Sequence, residues 1–153
     1  MATLAFVAIV VLIAAGCAHT ANGAAHTYGL GRPANAAEIA ARDIDVSPDG
    51  AGLPGGRGDA VAGARIFAAT CRRCHGEGVR LDPQRWPYAT TLFDYVRRAM
   101  PPDRTERLRP DELYAVTAYE LAINGVIDQR DVLDRQSLPR VTMPGLKSFF
   151  KSP

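Results

Sequence analysis

Residues 71–75 read Cys71-Arg72-Arg73-Cys74-His75, and this pentapeptide governs the interpretation of the rest of the chain. It has the form C-x-x-C-H, which is the attachment motif of c-type haem. On one helical turn the two thiols point the same way and can add to the two vinyl groups on one haem edge. His75 then lies under the macrocycle and reaches the iron as the proximal ligand. The motif predicts one haem c, covalently bound through Cys71 and Cys74.

Three other uses of paired cysteines fit the surrounding residues less well. A thioredoxin-like C-x-x-C needs a βαβ context, whereas both flanks of this motif look helical. A structural zinc site needs four ligands, and beyond residue 25 the chain offers only two Cys and two His, one of them His26. A plain disulfide between Cys71 and Cys74 would leave His75 without a role. The haem interpretation uses all three side chains.

A haem iron in an electron carrier needs a second axial ligand, and Met is a common one. The chain contains three Met, and Met1 begins an apolar segment that is interpreted as an export signal. Met100 precedes Pro101, and the spacing of Leu92, Val96 and Met100 predicts a helix from about residue 91 to 99. Thr90 is the expected N-cap of that helix, and Pro101 is expected to force Met100 out of the helical conformation.

Met100 is therefore predicted as the distal ligand, held at a stiff junction between a helix and a loop. Met143-Pro144 has similar local chemistry but lies far along the C-terminal tail. Three further candidate ligands lie near the ends of the chain: His26, Lys147 and Lys151.

Helices are predicted on both sides of the motif. Residues 59–70 begin with a candidate N-cap, Asp59, and carry an apolar face made of Val61, Ala64, Phe67 and Ala68. Gly63 within this helix costs ~1 kcal/mol relative to Ala, which a close helix crossing would explain. The expected partner runs over residues 110–124, because Pro110 suits a first helical position and Gly125 suits a helix end.

These features together resemble class I cytochromes c. Gly63 and Phe67 precede Cys71 at the spacing of that family, and Met100-Pro101 is followed by a helix that contains Tyr119. The resemblance covers about residues 57–125. It implies an all-α fold, a small class I cytochrome c fold around one covalently bound haem. It also implies that the first and last helices cross, with Gly63 and Phe67 against Tyr119.

Four further stretches resemble the cytochrome c subunits of molybdenum sulfite dehydrogenases and of thiosulfate-oxidising (sulfane dehydrogenase) systems: residues 28–33, 37–46, 86–101 and 124–127. Where those subunits end in a Met-Pro-Asn-Arg type motif, this chain has Met143-Pro144-Gly145-Leu146. The resemblance implies a molybdenum dehydrogenase subunit as electron donor and another cytochrome or an oxidase as acceptor.

The outer parts of the chain divide into an expected signal (1–25), an irregular N-terminal wrap (26–58) and a C-terminal extension (128–153), around a cytochrome core (59–127). Residues 1–16 are apolar and carry no charged side chain, which is typical of a secretory signal. Cleavage after Gly23-Ala24-Ala25 would release a soluble periplasmic protein. Acylation of Cys17 would instead anchor a lipoprotein in the membrane, and an uncleaved anchor helix is a third alternative. The wrap is expected to cover a haem edge or to dock on a partner.

Four side chains are candidates for contacts with haem propionates, and each has an ordinary surface role as its alternative: Trp86, Tyr88, Arg97 and Arg98. The indole N–H of Trp86 can donate a hydrogen bond, and the two guanidinium groups can pair with carboxylates.

Composition narrows the functional classes. The net charge of +2 over 153 residues argues against a nucleic-acid binder. With His75 and Met100 both bound, the iron would have no open position for a substrate, so electron transfer is predicted rather than an enzyme activity. Two alternatives stay open: a ligand-binding haem sensor or scavenger in which Met100 does not bind, and a carrier for an unrelated dehydrogenase.

Overall fold

The computed structural model describes residues 30–82, 85–103 and 108–149. The predicted signal, its cleavage sites and Cys17 lie outside the described residues, as do His26 and Lys151. The chain divides into two units, Met1–Asn35 and Ala36–Pro153, and every helix and strand described below belongs to the second. No helix in the described ranges is long and apolar enough to cross a membrane.

The second unit is mainly helical, as the sequence predicts. Its helices are α1 (Ala36–Arg42), α2 (Ala60–Thr70), α3 (Arg72–His75), α4 (Ala89–Ala99), α5 (Pro110–Ile123) and α6 (Leu146–Phe149), with a 3₁₀-helix at Leu138–Arg140. Two short strands, β1 (Arg57–Asp59) and β2 (Val132–Asp134), pair antiparallel with Gly58 opposite Leu133.

Helix α2 begins where its cap predicts, but only part of the predicted apolar face is buried. The Asp59 carboxylate accepts a hydrogen bond from the Ala62 N–H at 2.8 Å. The buried residues are Ala60, Gly63 and Phe67, whereas Val61 is 53% exposed and Ala68 is exposed as well. The predicted face is therefore confirmed at Phe67 and wrong at Val61 and Ala68. Gly63 lies directly against the backbone of α5, so the line of residues through this glycine faces inward.

Helix α5 is the central element of the fold. It starts at Pro110, where the Arg109 N–H donates to the Glu112 carboxylate at 2.8 Å, and Gly125 follows it with a positive φ of 69°. Both ends agree with the sequence prediction. Residues 113–118, 120 and 121 are all buried, because α2, α4 and β1 pack around this helix.

Helix α4 starts earlier than predicted. Its N-cap is Tyr88, and Thr90 lies buried inside the first turn, where its hydroxyl is 3.5 Å from the Pro48 carbonyl oxygen. The prediction of Thr90 as N-cap is therefore wrong, because this hydroxyl is directed to another segment. The end of the helix is as predicted: Met100 is extended, with φ −124° and ψ 137°, since Pro101 follows it.

The N-terminal wrap is fastened to α4 and α5 by hydrogen bonds. The Val46 N–H donates to Asp94 at 3.2 Å, and the Arg97 guanidinium donates to the Ile44 carbonyl at 3.0 Å. The Tyr114 hydroxyl donates to the Pro54 carbonyl at 2.9 Å.

The C-terminal extension also enters the core. Strand β2 pairs with β1, and three side chains after α5 are buried: Leu133, Leu138 and Met143. Residues 44–54 of the wrap and residues 132–143 of the extension therefore both pack against the core.

Candidate functional site

A cavity of about 620 Å³ lies beside the C-x-x-C-H motif. Its volume falls within the ~300–1,000 Å³ that small-molecule and cofactor sites occupy. The motif contributes Cys71, Cys74 and His75 to the lining, and the end of α4 contributes Met100 and Pro101. Most of the remaining lining is apolar, and it includes Phe67, Leu81, Leu92, Val96 and Val116.

The motif itself is helical, as its chemistry requires. The amides of Cys74 and His75 both donate to the Cys71 carbonyl, at 3.1 and 3.0 Å, and this forms the turn that continues into α3. Gly76, at φ 63°, ends it. Both thiols are free, with Cys74 exposed and Cys71 half-buried. Burial, and then the negative charge of Glu120, raise the pKa of the Cys71 thiol.

The described chain holds two methionines, and the structure separates them. Met100 lines the cavity together with His75, whereas Met143 is 3% exposed in the hydrophobic core and is not among the lining residues. The ring of Phe67 lies beside His75, with centroids 6.5 Å apart. One imidazole and one thioether are therefore available to the same cavity.

These residues fit a haem c. Two free thiols, an imidazole and a thioether meet in one mostly apolar cavity, which is the donor set that a covalently attached, His/Met-ligated haem uses. Over the described ranges there is no group of three or more His, Cys, Asp or Glu that could hold a metal ion, so the zinc alternative gains no support.

Two of the four candidate propionate contacts lie at the cavity. Trp86 lines it and contacts Tyr95 edge to face, with centroids 5.4 Å apart. Arg98 also lines it, but its guanidinium pairs with Asp94 and Asp45, each at 2.6 Å. Neither Tyr88 nor Arg97 is among the described residues that line the cavity. The Arg97 guanidinium instead donates a hydrogen bond to the N-terminal wrap. Which side chain meets a propionate stays a prediction.

Sequence reasoning missed two polar residues beside this site, Glu120 on α5 and Asn124, which caps the end of α5. Glu120 lines the cavity at 3% exposure, and its carboxylate accepts the Val79 N–H at 3.0 and 3.2 Å. Asn124, one turn later, accepts the Leu81 N–H at 3.0 Å and donates to the Val79 carbonyl at 2.8 Å. The sequence feature that could have pointed to Glu120 is its position as a charged residue within the apolar run of α5.

A small helical fold with this motif, and with a thioether in the same cavity, defines a c-type cytochrome. Residues 58–119 match the family model described as cytochrome c oxidase, cbb3-type, subunit III. A chain in the crystal structure of the sulfane dehydrogenase SoxCD from Paracoccus pantotrophus is 34% identical, with a TM-score of 0.69. The match covers 82% of this chain and 73% of that chain. The comparison with curated proteins gave no match.

The chain belongs to the cytochrome c family. The resemblance to class I cytochromes c and to sulfane dehydrogenase, inferred from the motif and its flanks, is confirmed. Membership of this family implies covalently bound haem c and a role as an electron carrier or redox subunit.

Proposed function

We propose that this protein binds one haem c and transfers electrons from a molybdenum dehydrogenase that oxidises an inorganic sulfur compound to a downstream cytochrome or oxidase. The observation that carries the proposal is the presence of both His75 and Met100 in the lining of one cavity. If His75 and Met100 both bind the iron, they would leave no iron position for a substrate, and the haem would supply outer-sphere electron transfer.

The bound haem would supply one-electron chemistry at its iron. The chain's own residues do the rest. Cys71 and Cys74 would hold the cofactor covalently, and His75 and Met100 would bind its iron. The mostly apolar lining would keep water away from much of the bound cofactor. Since Cys74 is exposed, the attachment side of the cavity lies close to the protein surface, where a partner can approach.

The choice of partner rests on similarity. The structure of sulfane dehydrogenase SoxCD matches 82% of this chain at 34% identity, which extends well beyond the C-x-x-C-H motif. The resemblance to cytochrome subunits of molybdenum sulfite dehydrogenases points to the same class of donor. A carrier for an unrelated dehydrogenase is the competing candidate.

Export to the periplasm belongs to the same proposal, because residues 1–16 form an uncharged apolar segment. Cys17→Ser distinguishes the two forms of the mature protein. Loss of membrane attachment identifies a lipoprotein, and an unchanged soluble protein that begins near His26 identifies cleavage after Ala25.

The test of function begins with the purified exported protein. Its intact mass should exceed that of the apoprotein by one haem that acid-acetone does not extract, and Cys71→Ala or Cys74→Ala should weaken maturation. The reduced protein should not bind carbon monoxide readily, whereas rapid binding would favour the sensor. Rapid reduction by a molybdenum sulfite dehydrogenase, with an unrelated dehydrogenase as control, would support the proposed donor, and equal rates with both would favour a general carrier.

A further inference from the structure

Glu120 on α5 and Asn124 at the C-cap of α5 hold the chain segment that follows the haem-binding motif. The Glu120 carboxylate and the Asn124 amide together take up three backbone groups: the N–H and the carbonyl of Val79, and the N–H of Leu81. Val79 and Leu81 both line the cavity. The segment is thus fixed to the same helix that supplies Val116 and Glu120 to the cavity wall.

The segment lies close against α5. Gly78 has a φ of 147°, which side-chain-bearing residues rarely adopt, and a Cβ atom there would overlap the side chain of Ile123. The preceding residue is held as well, since the Tyr119 hydroxyl donates to the Glu77 carbonyl at 2.6 Å. Residues 77–81 therefore follow one face of α5 closely.

Among the described residues, no positively charged side chain forms an ion pair with the Glu120 carboxylate. The titratable and charged groups that share its cavity are Cys71, Cys74, His75, Arg85, Asp94, Tyr95 and Arg98. Arg98 pairs with Asp94 and Asp45, and Arg85 lies 3.8 Å from Asp82. Glu77 and Arg80 belong to the segment itself, and Glu77 pairs with Arg72.

Burial raises the pKa of Glu120 to about 6, while the hydrogen bond from Val79 acts in the opposite direction. The Glu120 carboxyl group therefore changes its charge at a mildly acidic pH, at which the folded protein can be studied. Its negative charge already acts on the cavity, because it contributes to the raised pKa of Cys71.

We propose that Glu120 is a positioning residue that fixes the Val79–Leu81 wall of the haem cavity and places a titratable negative charge beside the cofactor, so that the reduction potential depends on pH. The inference rests on the proposed binding of haem c. Oxidation of the iron adds one positive charge to the site, and an ionised Glu120 stabilises that charge. The midpoint potential therefore falls as the pH rises and Glu120 loses its proton.

The experiment is a spectroelectrochemical titration of the holoprotein from pH 4.5 to 8, with wild type, Glu120→Gln and Glu120→Asp. Gln keeps the size and can still accept the Val79 N–H, but it has no charge. We expect the potential of the wild type to fall through this range, Glu120→Gln to lose that fall and to have the higher potential at pH 8, and Glu120→Asp to retain the fall with a shifted midpoint pH. Glu112→Gln, on the same helix but outside the cavity lining, is the matched control and should follow the wild type.

Two results would overturn the assignment: a flat wild-type profile, or the same fall in Glu120→Gln as in the wild type. If Glu120→Gln does not fold, Glu120→Asp and the wild-type profile still decide, since a fall unchanged in midpoint pH between them excludes Glu120 as the titrating group. Absence of covalent haem from the wild type would overturn the proposed function together with this inference, whereas a haem-loaded protein without the pH dependence removes the inference alone.

The positioning role of Glu120 has a separate readout in amide hydrogen exchange. Glu120→Ala removes the acceptor of the Val79 N–H, so exchange at Val79 should accelerate about tenfold relative to the amides in the middle of α5. Equal exchange in wild type and Glu120→Ala would show that other contacts hold the segment.

Discussion

Gly63 on α2 lies against the carbonyl group of Ala115 on α5 so closely that a Cβ atom at position 63 would overlap the carbonyl oxygen. The same Cβ would stand 2.8 Å from that of Tyr119. One turn later, the rings of Phe67 and Tyr119 meet with centroids 5.0 Å apart. The crossing that the family resemblance implies is therefore made of a backbone contact and an aromatic contact on the same two helices.

Gly63→Ala should destabilise the protein in spite of the better helix propensity of Ala. The added methyl group meets backbone of α5, which cannot move aside as a flexible side chain can, and overpacking of this kind costs about 1–3 kcal/mol. Urea unfolding of the holoprotein, followed by circular dichroism, measures the loss. Gly55→Ala is the control, because a Cβ at position 55 meets nothing within 4 Å. Equal stability of both variants would mean that the two helices do not approach as described.

Met100→Ala should change the haem spectrum and the reduction potential, whereas Met143→Ala should change only the stability. Met100 lines the cavity, so its loss should abolish the thioether–iron charge-transfer band of the oxidised protein and lower the reduction potential. Met143 is buried in the core outside the cavity lining, so its truncation should leave the band in place and cost about 2–5 kcal/mol of stability. The absorption spectrum of each variant reports the band, a redox titration gives the reduction potential, and a urea titration gives the stability.

If Met143→Ala abolishes the band and Met100→Ala does not, the distal ligand of the iron is Met143 in the C-terminal extension. If neither substitution changes the band or the potential, the iron has another ligand or an open position, and the sensor alternative gains support.

The parts of this structure that the sequence predicts are those with a strong local cause. Asp59 caps α2, Pro101 forces Met100 out of α4, and Pro110 and Gly125 bound α5. Those signals act within a few residues, and the C-x-x-C-H motif is equally local.

Local sequence signals could not predict how the N-terminal wrap and the C-terminal extension pack against the core. Strands β1 and β2 have three residues each, too few to show an alternating pattern. Met143 is buried by long-range packing, although its neighbours resemble a tail. Glu120 was missed for a related reason: a single Glu on a helix is normally solvated, and only the tertiary structure places it against Val79.

Tyr114→Phe should loosen the attachment of the N-terminal wrap. The hydroxyl donates to the Pro54 carbonyl at 2.9 Å, and burial raises the pKa of Tyr114 to about 12, so it is protonated and able to donate throughout the neutral range. Pro54 is half-buried, so leaving its carbonyl without a donor should cost about 1 kcal/mol, near the lower end of the ~1–3 kcal/mol range for buried groups. Hydrogen exchange over residues 44–54 should rise together with the loss in stability.

Tyr119→Phe provides the comparison for this prediction on the same helix. Its hydroxyl bonds to the exposed Glu77 carbonyl, which water can reach, so the substitution should cost less than Tyr114→Phe. A larger cost for Tyr119→Phe would contradict the interpretation that the Tyr114 bond holds the wrap.

Glu120 should also make the stability of the folded protein depend on pH. Its pKa rises from an ordinary 4.5 to about 6 on folding because burial penalises the charged form, so the folded state binds the proton more tightly than the unfolded state does. The stabilisation from this proton is complete below pH 4.5 and is lost as the pH rises to about 6. A shift of this size corresponds to on the order of 2 kcal/mol. The measurement is the difference in unfolding free energy between wild type and Glu120→Gln at pH 4, 5, 6 and 7, which cancels the other titrating groups. We expect wild type to lose stability relative to the variant across this range, and a difference that stays constant with pH would show that Glu120 has an ordinary pKa in the folded protein.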